Sequence, residues 1–303
     1  MKVLIVGLGS IALKHIAALR KIDPNIELYA IRSSLKADAK KGIINIFSFD
    51  DLDHIEIDFA IISNPTSIHK ETIEHLIPKK IPLFIEKPLF SSLGNKAVLQ
   101  KIDSNNIITY VACNLRFLDC IKFAKKYIQR KRINEVNVYC GSYLPDWRPG
   151  IDYKTTYSAN RKLGGGVHID LIHEIDYAYW LFGKPQEVHK VFSSKSSLNI
   201  DAYDYANYML GYTTFNANIV LNYFRRDPKR TLEIVCDDHT ITIDILENTV
   251  YQNKEIIFTS KKTIMDTYED QLRFFIHEVV AKDNKFNTAN EAYEILEICL
   301  QND

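Results

Sequence analysis

The feature that most constrains this chain is its first thirty-four residues. Lys2-Val3-Leu4-Ile5-Val6 is a short, β-branched apolar run that predicts a buried strand. Gly7-Leu8-Gly9-Ser10-Ile11-Ala12 follows it directly. Ile11, Ile16, Leu19 and Ile22 then recur at helical spacing, and Asp23-Pro24 ends that helix. Glu27 to Ile31 reads as a second strand. Strand, glycine turn, helix, strand is the opening of a dinucleotide-binding fold. Gly7 permits the tight turn, Gly9 lets the backbone approach a pyrophosphate, and small Ala12 lets helix and strand pack closely. The first-turn N–H groups of Ser10, Ile11 and Ala12 would face the anion. Two competing readings are an ordinary α/β turn and a secretory signal. Lys14, His15 and Arg20 interrupt the apolar stretch, and no small-residue cleavage site ends it.

The end of the second strand bears on the cofactor. NAD-binding folds place an acidic residue there for the ribose hydroxyls. This chain reads Ile31-Arg32-Ser33-Ser34. A guanidinium with two hydroxyls suits a 2′-phosphate, so the sequence predicts NADP(H) over NAD(H), with NAD(H) as the other possibility.

The remainder divides in two. Predicted strands at 46–49, 58–62, 82–85 and 109–113 alternate with helices, which implies a parallel, doubly wound sheet. Asn64-Pro65, Glu86-Lys87-Pro88 and Asn114-Leu115-Arg116 each fall just after one of these strands, where a doubly wound sheet binds its ligand. Beyond a helix at 118–131 come strands at 135–142, 187–193, 205–210, 218–224, 230–235 and 240–244, read as antiparallel in an α+β domain. A helix is predicted over 167–182 and two more over 268–281 and 291–301. The expected fold is therefore α/β: an N-terminal doubly wound domain over 1–118 and an α+β domain with a large open sheet over 119–303.

Composition excludes other classes. Thirty-eight basic residues balance thirty-eight acidic ones, so neither nucleic acid nor a membrane surface is indicated as partner. No apolar run is long enough to span a bilayer. Five cysteines with no CxxC pair point to a reducing, cytoplasmic setting.

Four motifs, in order along nearly the whole chain, resemble the Gfo/Idh/MocA oxidoreductases, the family of glucose-fructose oxidoreductase and inositol 2-dehydrogenase. They are Gly7–Ala12, Asn64-Pro65-Thr66-Ser67-Ile68-His69, Glu86-Lys87-Pro88, and Gly164 through Asp170 and His173 to Asp176. The resemblance implies a Rossmann domain, a second domain with a large open sheet, and a homo-oligomer, dimer or tetramer. It implies hydride transfer between NAD(P) and a carbon of a sugar, cyclitol or nucleotide sugar. It makes Lys87 a catalytic or proton-relay lysine beside a proline that is often cis. A lysine in a dry cleft can also serve that role on chemical grounds. Asp170 and His173 complete the expected catalytic set, one helical turn apart. The family more often has four residues between this Asp and its His, so an ungapped match would fall on Glu174. The His173-to-Asp176 spacing favours His173.

Asn64, Pro65, His69, Glu86, Lys87, Asn114 and Arg116 are expected at the cofactor. Tyr143, Trp147, Arg148 and Tyr157, with Lys87, Asp170 and His173, are expected at the substrate, since rings and a guanidinium suit a sugar face and an anionic group. Gly141 to Pro149 looks like a subgroup acting on surface-glycan sugars. His168, Asp170, His173 and Asp176 could alternatively be read as metal ligands. His168 and Asp170 lie roughly 200° apart on a helix, so no metal is expected. A non-catalytic NADP-binding sensor on the same scaffold is the alternative of a different class. It would have no use for the proton-handling set.

Overall fold

The computed structural model describes residues 1–32 and 40–300 and divides them into two compact units. The first comprises Met1–Asn114 and Met265–Leu296, the second Leu115–Ile264 and 297–300.

The first unit is built on six parallel strands: β1 (Lys2–Val6), β2 (Glu27–Ile31), β3 (Ile44–Ile46), β4 (Phe59–Ile62), β5 (Leu83–Glu86) and β6 (Thr109–Ala112). Their spatial order is 3-2-1-4-5-6. The direction of winding reverses between β1 and β4, and this is the switch point beside which such sheets bind ligands. Strands β4 to β6 are buried throughout, as expected for strands covered on both faces. The third strand lies at 44–46 rather than 46–49, and the helix between β5 and β6 runs over Lys96–Ser104, with Asn95 as its N-cap.

The two compact units divide the chain differently from the expected boundary at 118/119. The units part at 114/115, and residues 265–296 return to the first unit. Packing explains the return. Phe275 sits edge-on to Phe59 and Phe84 at 5.2 and 5.4 Å and beside Tyr110 at 5.8 Å, so it completes an aromatic cluster on the sheet. Each such buried ring contributes on the order of 2–3 kcal/mol. The helix expected over 268–281 is α-helical only over Thr267–Phe274 and continues as a π-turn over Phe275–Val280.

The second unit carries an eight-stranded sheet: β7 (Ile133–Tyr143), β8 (Glu187–Ser193), β9 (Tyr205–Gly211), β10 (Asn216–Asn222), β11 (Phe224–Cys236), β12 (Thr240–Asp244), β13 (Thr249–Gln252) and β14 (Glu255–Thr259). It is antiparallel except where β10 pairs β7. Sequence reading missed β13 and β14, which are short and lie at one end of the sheet. One face alternates into a buried core: Val136 and Val138 of β7, Ile219 and Leu221 of β10, and Leu232 and Ile234 of β11. The helix expected over 167–182 is two pieces, Val167–Asp170 and Ile172–Phe182. At Leu171 the turn tightens: the Glu174 N–H reaches back only three residues, to the Leu171 carbonyl at 3.2 Å.

Candidate active site

In the first unit the chain leaves β1 into a turn that only a glycine fits. Gly7 has φ +94°, and a Cβ there would lie 2.5 Å from the backbone of Asn64, just beyond β4. The Ser63 hydroxyl pins the same turn by donating to the Gly7 carbonyl at 2.9 Å. Gly9 then serves as N-cap of the helix Ser10–Ile22, and a Cβ added to it would meet open space. Among the described residues no side chain caps that first turn, and it carries no acidic residue. The leading N–H groups of this helix are left for an anion from outside the chain. Asn64 adds a buried side-chain carbonyl with no partner among the described residues, while its amide donates to Thr72 at 2.7 Å. These observations fit a dinucleotide at the switch point.

The other residues expected at the cofactor fall into two groups. Arg32 donates to Asn45 at 3.1 Å at the end of β2, and Ser33 and Ser34 lie outside the described residues. Pro65 opens a short turn over Thr66–Ile68. His69 is a clamp: its two ring nitrogens lie 3.1 Å from the carbonyls of Asn64 and Leu89. Burial pushes its pKa down. The neutral ring therefore donates to one of these carbonyls, joining the segment after β4 to the segment after Lys87. Glu86 is turned inward. One carboxylate oxygen lies 2.5 Å from His15 Nε2 and the other accepts the Lys87 N–H at 3.2 Å. Lys87 is half-buried, and the bond from it to Pro88 is cis. Asn114 donates its amide to the Thr267 hydroxyl at 2.9 Å, both groups buried.

Arg116 is buried. It belongs to the second unit, and its guanidinium forms a two-pronged pair with Asp176, Nε to Oδ2 at 2.9 Å and Nη2 to Oδ1 at 2.7 Å. Both side chains are 1% exposed. The arginine expected at a cofactor thus braces the turn after β6 against the helix Ile172–Phe182.

The second unit gathers its own polar group around Asp170. The Tyr223 hydroxyl donates to Asp170 Oδ2 at 2.5 Å, and its ring meets Trp147 edge-on at 5.3 Å. Burial and the Asp170 charge hold the Tyr223 phenol well above its usual pKa, so it remains a donor. Tyr157 is pushed up to about 12 by burial and by the same carboxylate, and it donates to the Gly164 carbonyl at 2.7 Å. Trp147 is anchored by its indole N–H on Ser142 at 2.9 Å, and exposed Arg148 lines a small pocket beside it. Tyr143 does not join them. Alternation along β7 turns it from the side of Ser142 and Leu144, and the Arg226 guanidinium covers its ring at 4.2 Å. Asp170 and His173 are each half-buried, in separate helical pieces rather than on one continuous helix.

Glu174 is fully buried and accepts from Arg230 Nε at 2.6 Å. His173, the preferred candidate for the histidine position, is half-buried on the same helix. His168 lies against Phe192 and Tyr203, and burial lowers its pKa to about 4, so it stays neutral. Among the described residues no group of three or more His, Cys, Asp or Glu converges as a metal set. No described helix is long and apolar enough to cross a membrane. All five cysteines are buried thiols.

Sequence reasoning missed His15, Tyr223 and Thr267 as supporting residues. His15 had a readable signal: it is a polar residue on the apolar stripe Ala12-Ile16-Leu19. Tyr223 and Thr267 had none, because their partners are far away in the chain. We expect Tyr223→Phe to lower kcat about tenfold by loosening Asp170 while leaving dinucleotide affinity unchanged. Steady-state kinetics beside a binding titration would check this, and an unchanged kcat would remove Tyr223 from the site.

Fold and turn together define a dinucleotide-binding protein of two units. Family comparison is specific: the model described as "Oxidoreductase family, NAD-binding Rossmann fold" matches residues 1–112, and "GFO/IDH/MocA C-terminal domain" matches residues 121–242. The chain belongs to the Gfo/Idh/MocA oxidoreductases. It is 29% identical over 188 residues to scyllo-inositol 2-dehydrogenase (NAD(+)) of Bacillus subtilis, covering 59% of this chain and 53% of that one. It is 27% identical over 146 residues to levoglucosan dehydrogenase of Pseudarthrobacter phenanthrenivorans, covering 47% and 37%. These matches span about half or less of each relative's length. A solved structure of levoglucosan dehydrogenase in complex with NADH superposes with TM-score 0.86 at 17% identity, over 99% of this chain and 95% of that one. That last likeness is one of fold.

Proposed function

We propose that this chain is an NAD(P)-dependent dehydrogenase or reductase that acts on a CH–OH carbon of a sugar, cyclitol or nucleotide sugar and prefers NADP(H). The observation that carries the reading is Lys87. It stands half-buried at the carboxyl end of β5, its backbone N–H held by Glu86, in the same unit as the uncapped glycine turn. The bound dinucleotide would supply or accept the hydride. The chain's own residues would handle the proton. Lys87 takes it from, or returns it to, the substrate hydroxyl, and His173 serves as the second acid/base group. Asp170, fixed by Tyr223, orients a substrate hydroxyl. Trp147 offers a ring face to the sugar, and Arg148 suits an anionic substituent. The resemblance of Gly141–Pro149 to a glycan-sugar subgroup supports a role in supplying surface-glycan sugars. The sheet face bearing Val191, 63% exposed, and Met209, 50% exposed, supports homo-oligomer formation. Five reduced thiols suit the cytoplasm.

The cofactor preference rests on Arg32, at the place where NAD enzymes carry a carboxylate. Nicotinamide fluorescence titration is expected to give NADPH a Kd about tenfold below that of NADH. Arg32→Ala should bring the two within about twofold of each other. Equal binding in the native protein would remove the 2′-phosphate argument and leave the dehydrogenase standing. Binding of neither would overturn the proposal.

A further inference from the structure

We infer that His15 is a positioning residue that couples the glycine-led helix to Lys87 through the carboxylate of Glu86. The inference rests on the reading of Lys87 as proton carrier, though its geometry does not. His15 lies on the inner face of the helix Ser10–Ile22, 0% exposed, among Ala12, Ile16 and Leu19. A leucine would fill that place with no polar atom to satisfy, so a histidine needs a reason. Its Nε2 lies 2.5 Å from Glu86 Oε1. Its Nδ1 is buried and has no partner among the described residues. The rings of Phe84 and Tyr268 meet it edge-on at 5.0 and 5.6 Å. A proton on Nδ1 would be buried without an acceptor, so this network assigns the proton to Nε2, which donates to the carboxylate.

Glu86 is thereby held at both oxygens. Oε1 takes the hydrogen bond from the helix, and Oε2 takes the backbone N–H of Lys87. Tyr268 closes the far side, its phenol pushed up to about 12 by burial and by the Glu86 charge. Lys14 lies over that phenol ring at 5.1 Å. The same rigid helix therefore offers its N-terminus to the dinucleotide and, six residues after Gly9, fixes the carboxylate that sets where Lys87 begins. A shift of this helix is passed to the lysine through one carboxylate. A misplacement of about 1 Å at a reacting group can cost two orders of magnitude in rate, so this coupling has kinetic weight.

The test compares His15→Leu, which keeps the apolar fill and removes the donor, with His15→Gln, which keeps a donor at similar reach. In the full-length protein without substrate, the rate of reductive methylation at Lys87, read by mass spectrometry against exposed Lys254 of the second unit as internal standard, should change at least about threefold in His15→Leu and return in His15→Gln. In turnover with a sugar that the native enzyme accepts, kcat should fall about tenfold in His15→Leu, with KM and the NADPH Kd within about twofold, and recover in His15→Gln. Lys87 labelling within about twofold of native in His15→Leu would overturn the inference. So would equal losses in both variants with equally lowered Tm, since His15 would then serve the fold alone. The labelling arm needs no substrate. Altered Lys87 labelling in His15→Leu beside full activity in Lys87→Ala would keep the coupling and discard the proton role.

Discussion

Lys87→Ala is expected to lower kcat about a thousandfold while NADPH binding changes by no more than about threefold. Removing a general acid/base group costs typically two to four orders of magnitude, because the proton must then move through water. The backbone of Lys87 is held for that role. Strand β5 is buried up to Glu86, Glu86 accepts the Lys87 N–H, and Pro88 follows immediately. The alanine variant keeps all of these features, so the glycine turn and helix N-terminus retain their shape. Single-turnover reduction of bound NADP(+) against NADPH titration separates the two effects. Activity within tenfold of native would exclude Lys87 as proton carrier. His173→Asn supplies the second arm. If the two groups act on one proton, the double variant loses little more than the worse single variant, since effects within one catalytic unit are not additive. Independent roles would instead multiply.

What the sequence made legible follows from what is local. The glycine turn, the strand before it and the helix after it are set by neighbours within a dozen residues, and the pattern from Lys2 to Ile31 reads directly as structure. The same holds for Lys87, since the end of an apolar strand and a following proline fix its place. Long-range partners were not legible. Residues 265–296 look like helices of a C-terminal domain, and nothing within them says that Phe275 will pack on Phe59 and Phe84. Asp170 and His173 read as one helical turn because their spacing is three. The break at Leu171 has no proline or glycine to announce it. The partners of charged residues were the least legible: Arg116, Glu174 and Glu86 are each buried against a group between fifty-six and seventy-one positions away.

Arg116→Met should therefore destabilise the second unit by about 3–5 kcal/mol and leave the NADPH Kd of the folded protein unchanged. The pair Arg116–Asp176 is closed on both prongs, with both side chains 1% exposed. Methionine fills much of the arginine's volume, so the loss is not chiefly one of packing. It is the cost of an Asp176 carboxylate left buried with its counter-charge removed. The double variant Arg116→Met/Asp176→Leu removes that stranded charge and should recover most of the loss, since a buried pair replaced whole by apolar groups is often near neutral. Trp147 and Trp180 are the chain's two tryptophans, and both belong to the second unit, so urea unfolding followed by tryptophan fluorescence reads this unit directly. The expected signature is a lower midpoint at unchanged slope for the single variant and a midpoint near native for the double. A single variant as stable as native that binds NADPH more weakly would return Arg116 to the cofactor site, where its position after β6 first suggested it. Loss of stability with affinity intact would instead assign it to the frame of the second unit, holding the turn after β6 to the helix that carries His173.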